Sequence, residues 1–497
     1  MISSYDNNIP ALLFQKFVRT YPYEFSIKTA KEFLEMNGYQ IGLNTVSDYF
    51  HSNPMVFQIS KQLCISRSAF FTNKQFSVKP MDHEVKSGIL IPGHRTMPFT
   101  DPEQIPDELE FYIDGNRIPK KIQKISLDNI LPAYELYGQE YIPQVLFYDK
   151  ANEKKDFSKI GFELPQYLTI TVLDLDKWYK YWDFGAQDRL LLRVINWNLG
   201  YVEIGIQKDA RKDFFSKTDL EKSREKWYSL FEHFFLKTIK KYGFCKSIEE
   251  QLAYTYFVSK GELFIPVCGS PQEFLNQSTT VQIVPYGVES RLSPIDKESE
   301  LFGDWKTIIG DKEPIQNTLY YDTGFTIPAY MLDAYILDSL YLKEDNLLNI
   351  TTRLLPTTIP ISSWRSGLLL LHITTRHSVL ALDYNYFSDF RIGEIRHEAL
   401  SLYTDMLSLF YTLESSMIKM NLFPNQEIIV LKQLFSHVGN LVEALLLQEY
   451  IGEADISAAN LSVENMRFTF DEINQSLLNF LKEHRADVFK LLHNQKK

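Results

Sequence analysis

Cysteine is scarce in this sequence, and its scarcity excludes several classes of protein. The chain has three cysteines in 497 residues, Cys64, Cys245 and Cys268, and no two of them form a CxxC pair. Cysteine-rich zinc modules and secreted disulfide scaffolds need more cysteines at closer spacing. The N-terminal sequence MISSYDNNIPALLFQKF also lacks the basic start of a signal peptide. We therefore expect a cytoplasmic protein.

A basic excess and a long apolar run are also missing. The formal net charge is −11, whereas proteins that coat DNA nonspecifically are basic because phosphate neutralisation dominates such binding. Any nucleic-acid contact must therefore come from a local patch. The most apolar stretch, residues 366–382, is interrupted by His372, Arg376 and His377. It falls short of the roughly 20 apolar residues of a membrane span, so we expect no membrane partner.

Catalytic and cofactor motifs are the third absence. The sequence contains no GxSxG, no phosphate-binding P-loop and no GxGxxG. Glu394 and His397 form one Glu-x-x-His step, but a di-iron helical bundle needs two such steps and two further glutamates. His372 and His377 lie five residues apart without a HExxH context. We expect no metal and no cofactor, and the sequence favours a protein that is not an enzyme.

Globular composition extends over the whole chain, with 45% hydrophobic, 14% aromatic and 23% charged residues. A chain of this length predicts several domains. Strand-like alternation around residues 162–176 and 188–206 predicts an antiparallel β-barrel or sandwich, and helical spacing dominates after residue 327. We predict an α+β multidomain protein with a winged helix, a central β-rich region and a C-terminal helical bundle. Its expected domains are residues 1–75, 76–150, 151–300 and 301–497.

The first segment has the element order of a winged helix. Helical spacing covers residues 11–21, a Ser26 cap and an Asn37-Gly38 stop bound a second helix, and a third helix opens near residue 43. Two strand-like runs follow, the second of them spanning residues 64–71. This order resembles the winged-helix module called HARE-HTH over about residues 8–72. The resemblance implies a module that contacts nucleic acid or docks a protein, and both alternatives stay open.

Candidate contact residues follow from that resemblance. The third helix would face a DNA groove, and its expected exposed residues are Asn44, Thr45, Ser47 and His51. The helix lacks arginine and lysine, and Asp48 would repel phosphate. Lys61 and Arg67 on the expected wing are better phosphate partners.

The stretch GILIPGHRTMPF contains the second candidate site. A buried apolar strand ends at Pro92-Gly93, and His94 and Arg95 are expected to project from the turn. In one interpretation they bind an anion, with Arg95 as a two-pronged donor. In the other, Arg95 pairs with Asp101 or Glu103 and His94 caps a loop carbonyl.

Two functions from different classes remain. The first is a non-enzymatic interaction or regulatory protein that contacts nucleic acid or a protein partner, with a helical C-terminal part for assembly and possible homo-oligomers. The second is an enzyme of unidentified class with an anion-binding site near His94 and Arg95. The missing catalytic motifs and the chained modules favour the first.

Overall fold

The structure is a computed structural model, and it describes most of the chain. The described residues are 8–138, 141–152, 164–185, 187–208, 217–244, 247–287, 289–295, 329–344, 346–354, 363–416, 418–447 and 453–494. The chain divides into two compact units. Unit 1 comprises Met1–Pro285 with Glu289–Glu298, and unit 2 comprises Tyr286–Val288 with Ser299–Lys497.

Unit 1 begins with three helices and a small antiparallel sheet. The elements are α1 (Asn8–Thr20), β1 (Glu24–Ser26), α2 (Ile27–Met36), α3 (Leu43–Ser52), β2 (Val56–Gln58) and β3 (Leu63–Ser66), and the strand order is β1-β3-β2. The predicted Ser26 cap is confirmed, because its Oγ accepts the Thr29 amide at 3.1 Å. Phe17, Phe25 and Phe50 from three of these elements meet in one buried core. The family resemblance of this segment stays a prediction.

The second predicted strand of this segment, residues 64–71, is only half correct. The strand ends at Ser66, and α4 (Arg67–Phe71) follows. Ser66 ends the strand because its hydroxyl accepts the Ala69 amide at 3.1 Å, which caps a new helix. Arg67 therefore lies on the first turn of a helix and not on a wing strand.

Two open sheets form the centre of unit 1. The strands are β4 (Gln75–Val78), β5 (Ile89–Leu90), β6 (Glu110–Ile113), β7 (Asn116–Arg117), β8 (Lys120–Ser126), β9 (Tyr167–Asp174), β10 (Arg189–Asn196) and β11 (Tyr201–Gln207). One sheet has the order β4-β10-β11-β6-β7 and the other β5-β9-β8. The dipeptide Asp114-Gly115 is a sequence signal for a hairpin, and it forms the turn between β6 and β7, with positive φ at both residues.

Of the two predicted alternatives for the central region, the barrel is wrong, and the sandwich stays a prediction. In the part of the chain that the structure describes, the strands form separate open sheets. One pairing, between β6 and β11, is parallel rather than antiparallel. Strands expected in the 76–150 domain also pair with strands expected in the 151–300 domain, as β4 does with β10 and β8 does with β9. The sequence could not show this, because strand pairing across more than 40 residues leaves no local pattern.

Helices cover the central sheets. They are α5 (Asp82–Ser87), α6 (Leu127–Ile130), α7 (Ile142–Tyr148), α8 (Asp176–Tyr181), α9 (Lys217–Tyr242), α10 (Ile248–Val258) and α11 (Pro271–Gln277), and a hairpin of β12 (Val281–Tyr286) and β13 (Glu289–Pro294) follows. The helical spacing of residues 209–244 and 247–259 predicts two helices, and α9 and α10 confirm them, while residues 209–216 lie outside the described part of the chain. Trp227 and Phe231 of α9 pack with Tyr256 of α10 in the main aromatic core of the unit.

From residue 329 onward the described residues of unit 2 are mainly helical, which confirms the expected helical C-terminal region. Its helices are α12 (Ala329–Tyr341), α13 (Leu347–Leu354), α14 (Ser363–Asp383), α15 (Tyr386–Ser415), α16 (Asn425–Leu447) and α17 (Glu453–Asn494). The sequence leaves the stretch 366–382 ambiguous between a helix and paired strands, and in the structure it lies in α14. The sequence predicts Ser462 as the N-terminal cap of the last helix, but this is wrong, because that helix begins at Glu453 and Ser462 lies inside it. Good helix formers such as Ala458 and Ala459 continue the helix upstream.

One helix among the described residues, α16, is long and apolar enough to cross a membrane. Its segment Asn425–Leu446 contains a stretch with a mean hydropathy of 1.3, and half of that stretch is buried within the protein. Ile428, Leu431 and Val438 of this helix belong to the core that α16 shares with α12, α15 and α17. Core helices of globular proteins commonly have this composition.

Candidate functional site

Three of the residues predicted to contact a partner are exposed in the structure. Asn44 and Thr45 are exposed on its first turn, and Lys61 is exposed in the turn between β2 and β3. His51 bonds back to its own helix, since its Nδ1 lies 2.6 Å from the carbonyl oxygen of Ser47. The structure therefore leaves Asn44, Thr45 and Lys61 accessible to a partner.

Arg67 is not available for phosphate, in contrast to the sequence prediction. Its side chain is 2% exposed, and Nη1 donates to both carboxylate oxygens of Glu249 at 2.8 Å. Its guanidinium also lies 5.7 Å from the ring centre of Phe57. The prediction failed because Glu249 is 182 residues away in sequence, and nothing near Arg67 shows that α10 reaches it.

A second arginine of the N-terminal segment is also used inside unit 1. Arg19, near the end of α1, forms ion pairs with Asp101 and Glu103. The Asp101 side chain is fully buried, and its other oxygen accepts the Glu103 amide at 3.0 Å. The sequence predicts Asp101 or Glu103 as the partner of Arg95. Both acids do form ion pairs, but their partner is Arg19.

His94 and Arg95 do not project from their turn. They lie in a short 3-10 helix, Gly93–Thr96, and both are buried. Arg95 Nη1 donates to both oxygens of Glu84, at 2.6 and 2.8 Å. Glu84 also accepts the backbone amide of Ile91 at 2.7 Å. Glu84 therefore neutralises Arg95, and the corner offers no open anion site.

His94 is held neutral in this corner. Its Nδ1 accepts a hydrogen bond from the backbone amide of Leu136 at 3.4 Å. The expected hydrogen bond from His94 to a loop carbonyl is therefore wrong for this nitrogen. Burial, with a smaller contribution from the charge of Arg95, lowers the pKa of His94 to about 3. A histidine with this pKa adds no positive charge near neutral pH.

A cavity of about 400 Å³ opens directly beyond this corner. Four segments of unit 1 line it: the loop that follows the 3-10 helix, residues 136–145, the start of α10 and the start of β13. This volume is within the range of small-molecule sites. Its lining residues are Thr96, Met97, Thr100, Asp101, Pro102, Gln104, Pro106, Leu109, Leu136, Tyr137, Tyr141, Val145, Ser247, Ile248, Glu249, Glu289, Ser290 and Arg291.

Carboxylates dominate the charge on the cavity wall. Asp101, Glu249 and Glu289 line it, with Arg291 as the basic residue among the lining residues. Glu289 pairs with Arg291 and accepts the hydroxyl of Tyr141 at 3.2 Å. Burial raises the pKa of Glu249, although Arg67 opposes the shift. The sequence gave no sign of this site, because its acids are spread over almost 190 residues.

The histidine of the Glu-x-x-His step in unit 2, His397, pairs with a carboxylate of the protein itself. Nδ1 of His397 lies 3.1 Å from the fully buried carboxylate of Asp338, which also pairs with Arg353. This hydrogen bond raises the pKa of His397. No group of three potential metal ligands occurs among the described residues. Arg396, the residue before His397, is buried and donates to the Leu337 carbonyl at 3.2 Å.

Comparison with known proteins identifies no relative of this chain. No protein-family model, curated protein or solved structure matches it.

Proposed function

We propose that this chain is a non-enzymatic interaction protein whose N-terminal segment, residues 8–71, docks a protein partner through α3. The observation that carries the proposal is that the arginines of this segment form ion pairs within the protein. It contains two, Arg19 and Arg67, and both are neutralised by carboxylates of unit 1. A surface that binds phosphates needs its cations exposed.

The remaining exposed surface suits a protein better than a nucleic acid. Asn44 and Thr45 are uncharged, and the neighbouring Leu43 is 50% exposed. Ile59 is 41% exposed in the turn that carries Lys61. Asp48 adds a negative charge to α3. Exposed apolar side chains among uncharged polar groups are typical of protein contacts, whereas Lys61, the one lysine among these contact residues, supplies little of the charge that DNA binding needs.

Site-specific photo-crosslinking in the source cell tests this proposal. A photoreactive residue replaces Asn44 or Thr45, with the same substitution at Lys28 of α2 as the matched exposed control. We expect both α3 positions, and not Lys28, to crosslink to the same protein in a product that resists nucleases. Nuclease-sensitive products, or equal crosslinking from Lys28, would contradict the proposal.

In this proposal, the C-terminal helices mediate self-association of the chain. Leu371, Val379 and Leu382 of α14 are 62%, 50% and 84% exposed, and their spacing places them on one side of the helix. Burial of such a stripe against a second copy would remove apolar surface from water. Sedimentation analysis should show self-association that Leu371→Glu with Leu382→Glu abolishes; a monomeric parent chain would refute this part.

The alternative of an enzyme with an anion site at His94 and Arg95 has no support from their surroundings. Arg95 is matched by Glu84, and His94 is neutral and buried.

A further inference from the structure

We propose that the cavity beyond the His94-Arg95 corner binds a small organic cation, an ammonium group carried on an apolar body. The site is independent of the α3 surface and of the function proposed for it. Three features of the cavity support this ligand class: its apolar lining, its acidic wall and two hydroxyls that have no partner.

The apolar lining accommodates the body of the ligand. Met97, Leu109, Leu136, Val145 and Ile248 lie in the wall of the cavity. Two aromatic side chains, Tyr137 and Tyr141, also line it, and aromatic rings attract cations as well as apolar groups. A volume of about 400 Å³ accommodates a small aromatic or branched aliphatic molecule.

The acidic wall selects the charge of the ligand. The carboxylates of Asp101, Glu249 and Glu289 line the cavity, while Arg19 and Arg67 reach two of them without lining it themselves. A carboxylate has about four acceptor sites. Arg67 uses two of those of Glu249, so acceptor capacity remains for an ammonium group. The lining itself contains three carboxylates and one guanidinium, that of Arg291, so it favours a cation over an anion.

Two threonine hydroxyls are the second, independent sign of a ligand. Thr96 and Thr100 line the cavity and are 4% and 7% exposed. Their hydroxyl groups bond to no side chain or backbone group in the described part of the chain. Neither hydroxyl oxygen is fully enclosed by protein atoms, so both are open to the cavity that their residues line. Hydroxyl oxygens accept hydrogen bonds from an ammonium group, which has three donors.

Three probes of matched shape test the charge preference by calorimetry on the full chain. They are phenethylammonium, the neutral phenethyl alcohol and the anion hydrocinnamate. We expect phenethylammonium to bind about tenfold more tightly than the alcohol, because a charged hydrogen bond is stronger than a neutral one. We expect no heat from hydrocinnamate. Absence of phenethylammonium binding, or equal affinities for all three probes, would overturn the proposal.

Variants then locate the site. Val145→Trp fills the cavity from α7 and should abolish phenethylammonium binding. Glu289→Gln should weaken phenethylammonium about tenfold and leave the alcohol unchanged.

Removal of the two hydroxyls is the finer test. Thr96→Val with Thr100→Val should weaken phenethylammonium about fivefold or more, while the matched change Thr375→Val in α14 should have no effect. Circular dichroism verifies that each variant folds, and if the double threonine variant does not fold, Glu289→Gln and Val145→Trp decide alone. Unchanged binding in folded Val145→Trp would refute the site.

Discussion

Arg67 and Arg95 are buried cations that owe their positions to a carboxylate from another element. Removing such a charge from water costs several kcal/mol, and the cost is offset only where a partner of opposite charge is close. Glu249 fills that role for Arg67, and Glu84 fills it for Arg95. Each pair is consequently sensitive to the loss of one member, which leaves the other charge buried and alone.

Arg67→Met should lower the free energy of unfolding by about 3 to 5 kcal/mol, because the carboxylate of Glu249, only 13% exposed, then lacks its counter-charge. Arg67→Met combined with Glu249→Gln should recover part of that loss. Lys61→Met is the control, since Lys61 is exposed and should change stability by about 0.5 kcal/mol at most. Urea denaturation measures all three, and a single variant no more destabilised than the double would contradict the account.

Gly93 is a second residue whose neighbours fix its identity. Its φ is +47°, and a Cβ at this position would collide with the carbonyl oxygen of Ala133. Gly93→Ala should therefore combine the cost of the left-handed backbone with overpacking, about 2 to 5 kcal/mol in total. Gly115→Ala is the matched comparison, with φ +75° and open space around the added methyl group; it should cost about 1 to 2 kcal/mol. Equal losses in thermal or urea denaturation would show that the contact with Ala133 is unimportant.

At the scale of elements, local sequence signals predicted well and long-range pairing did not. The Ser26 cap and the Asp114-Gly115 turn follow from chemistry within a few residues, and both are present. The helical tendency of residues 366–382 was obscured because Thr374 and Thr375 also favour strands. The cavity was missed altogether, since Asp101 and Glu249 become neighbours only after β and α elements have packed.

The link between α12 and α15 gives a pH dependence at this same scale. The hydrogen bond to Asp338 of α12 raises the pKa of His397 in α15 above its ordinary 6.5. A raised histidine pKa stabilises the fold fully below the unfolded pKa, and the contribution is lost as pH rises through the folded pKa. The stability difference between the parent chain and His397→Asn should thus be largest near pH 5.5 to 6 and shrink above about pH 7. Chemical denaturation across this range measures it, and a difference that grows with pH would refute the assignment.

At the scale of the whole molecule, the two units contain separate cores. Phe99 belongs to the aromatic core of unit 1, where it stacks on Phe76. Leu407 belongs to the helical core of unit 2. The sequence predicted the change from mixed to helical structure near residue 327. It could not show that the strands before that point interleave into shared sheets.

Separate cores predict separate responses to cavities. Phe99→Ala should cost about 3 to 5 kcal/mol and Leu407→Ala about 2 to 5 kcal/mol, each within its own unit. In hydrogen exchange, Phe99→Ala should speed exchange in β4 and α10 and leave α15 and α16 protected. Leu407→Ala should do the reverse, and it serves as the matched control because both variants remove a fully buried side chain. Faster exchange throughout the chain in either variant would mean that the two cores open together, because local opening confines its effect to the cooperative unit that contains the cavity.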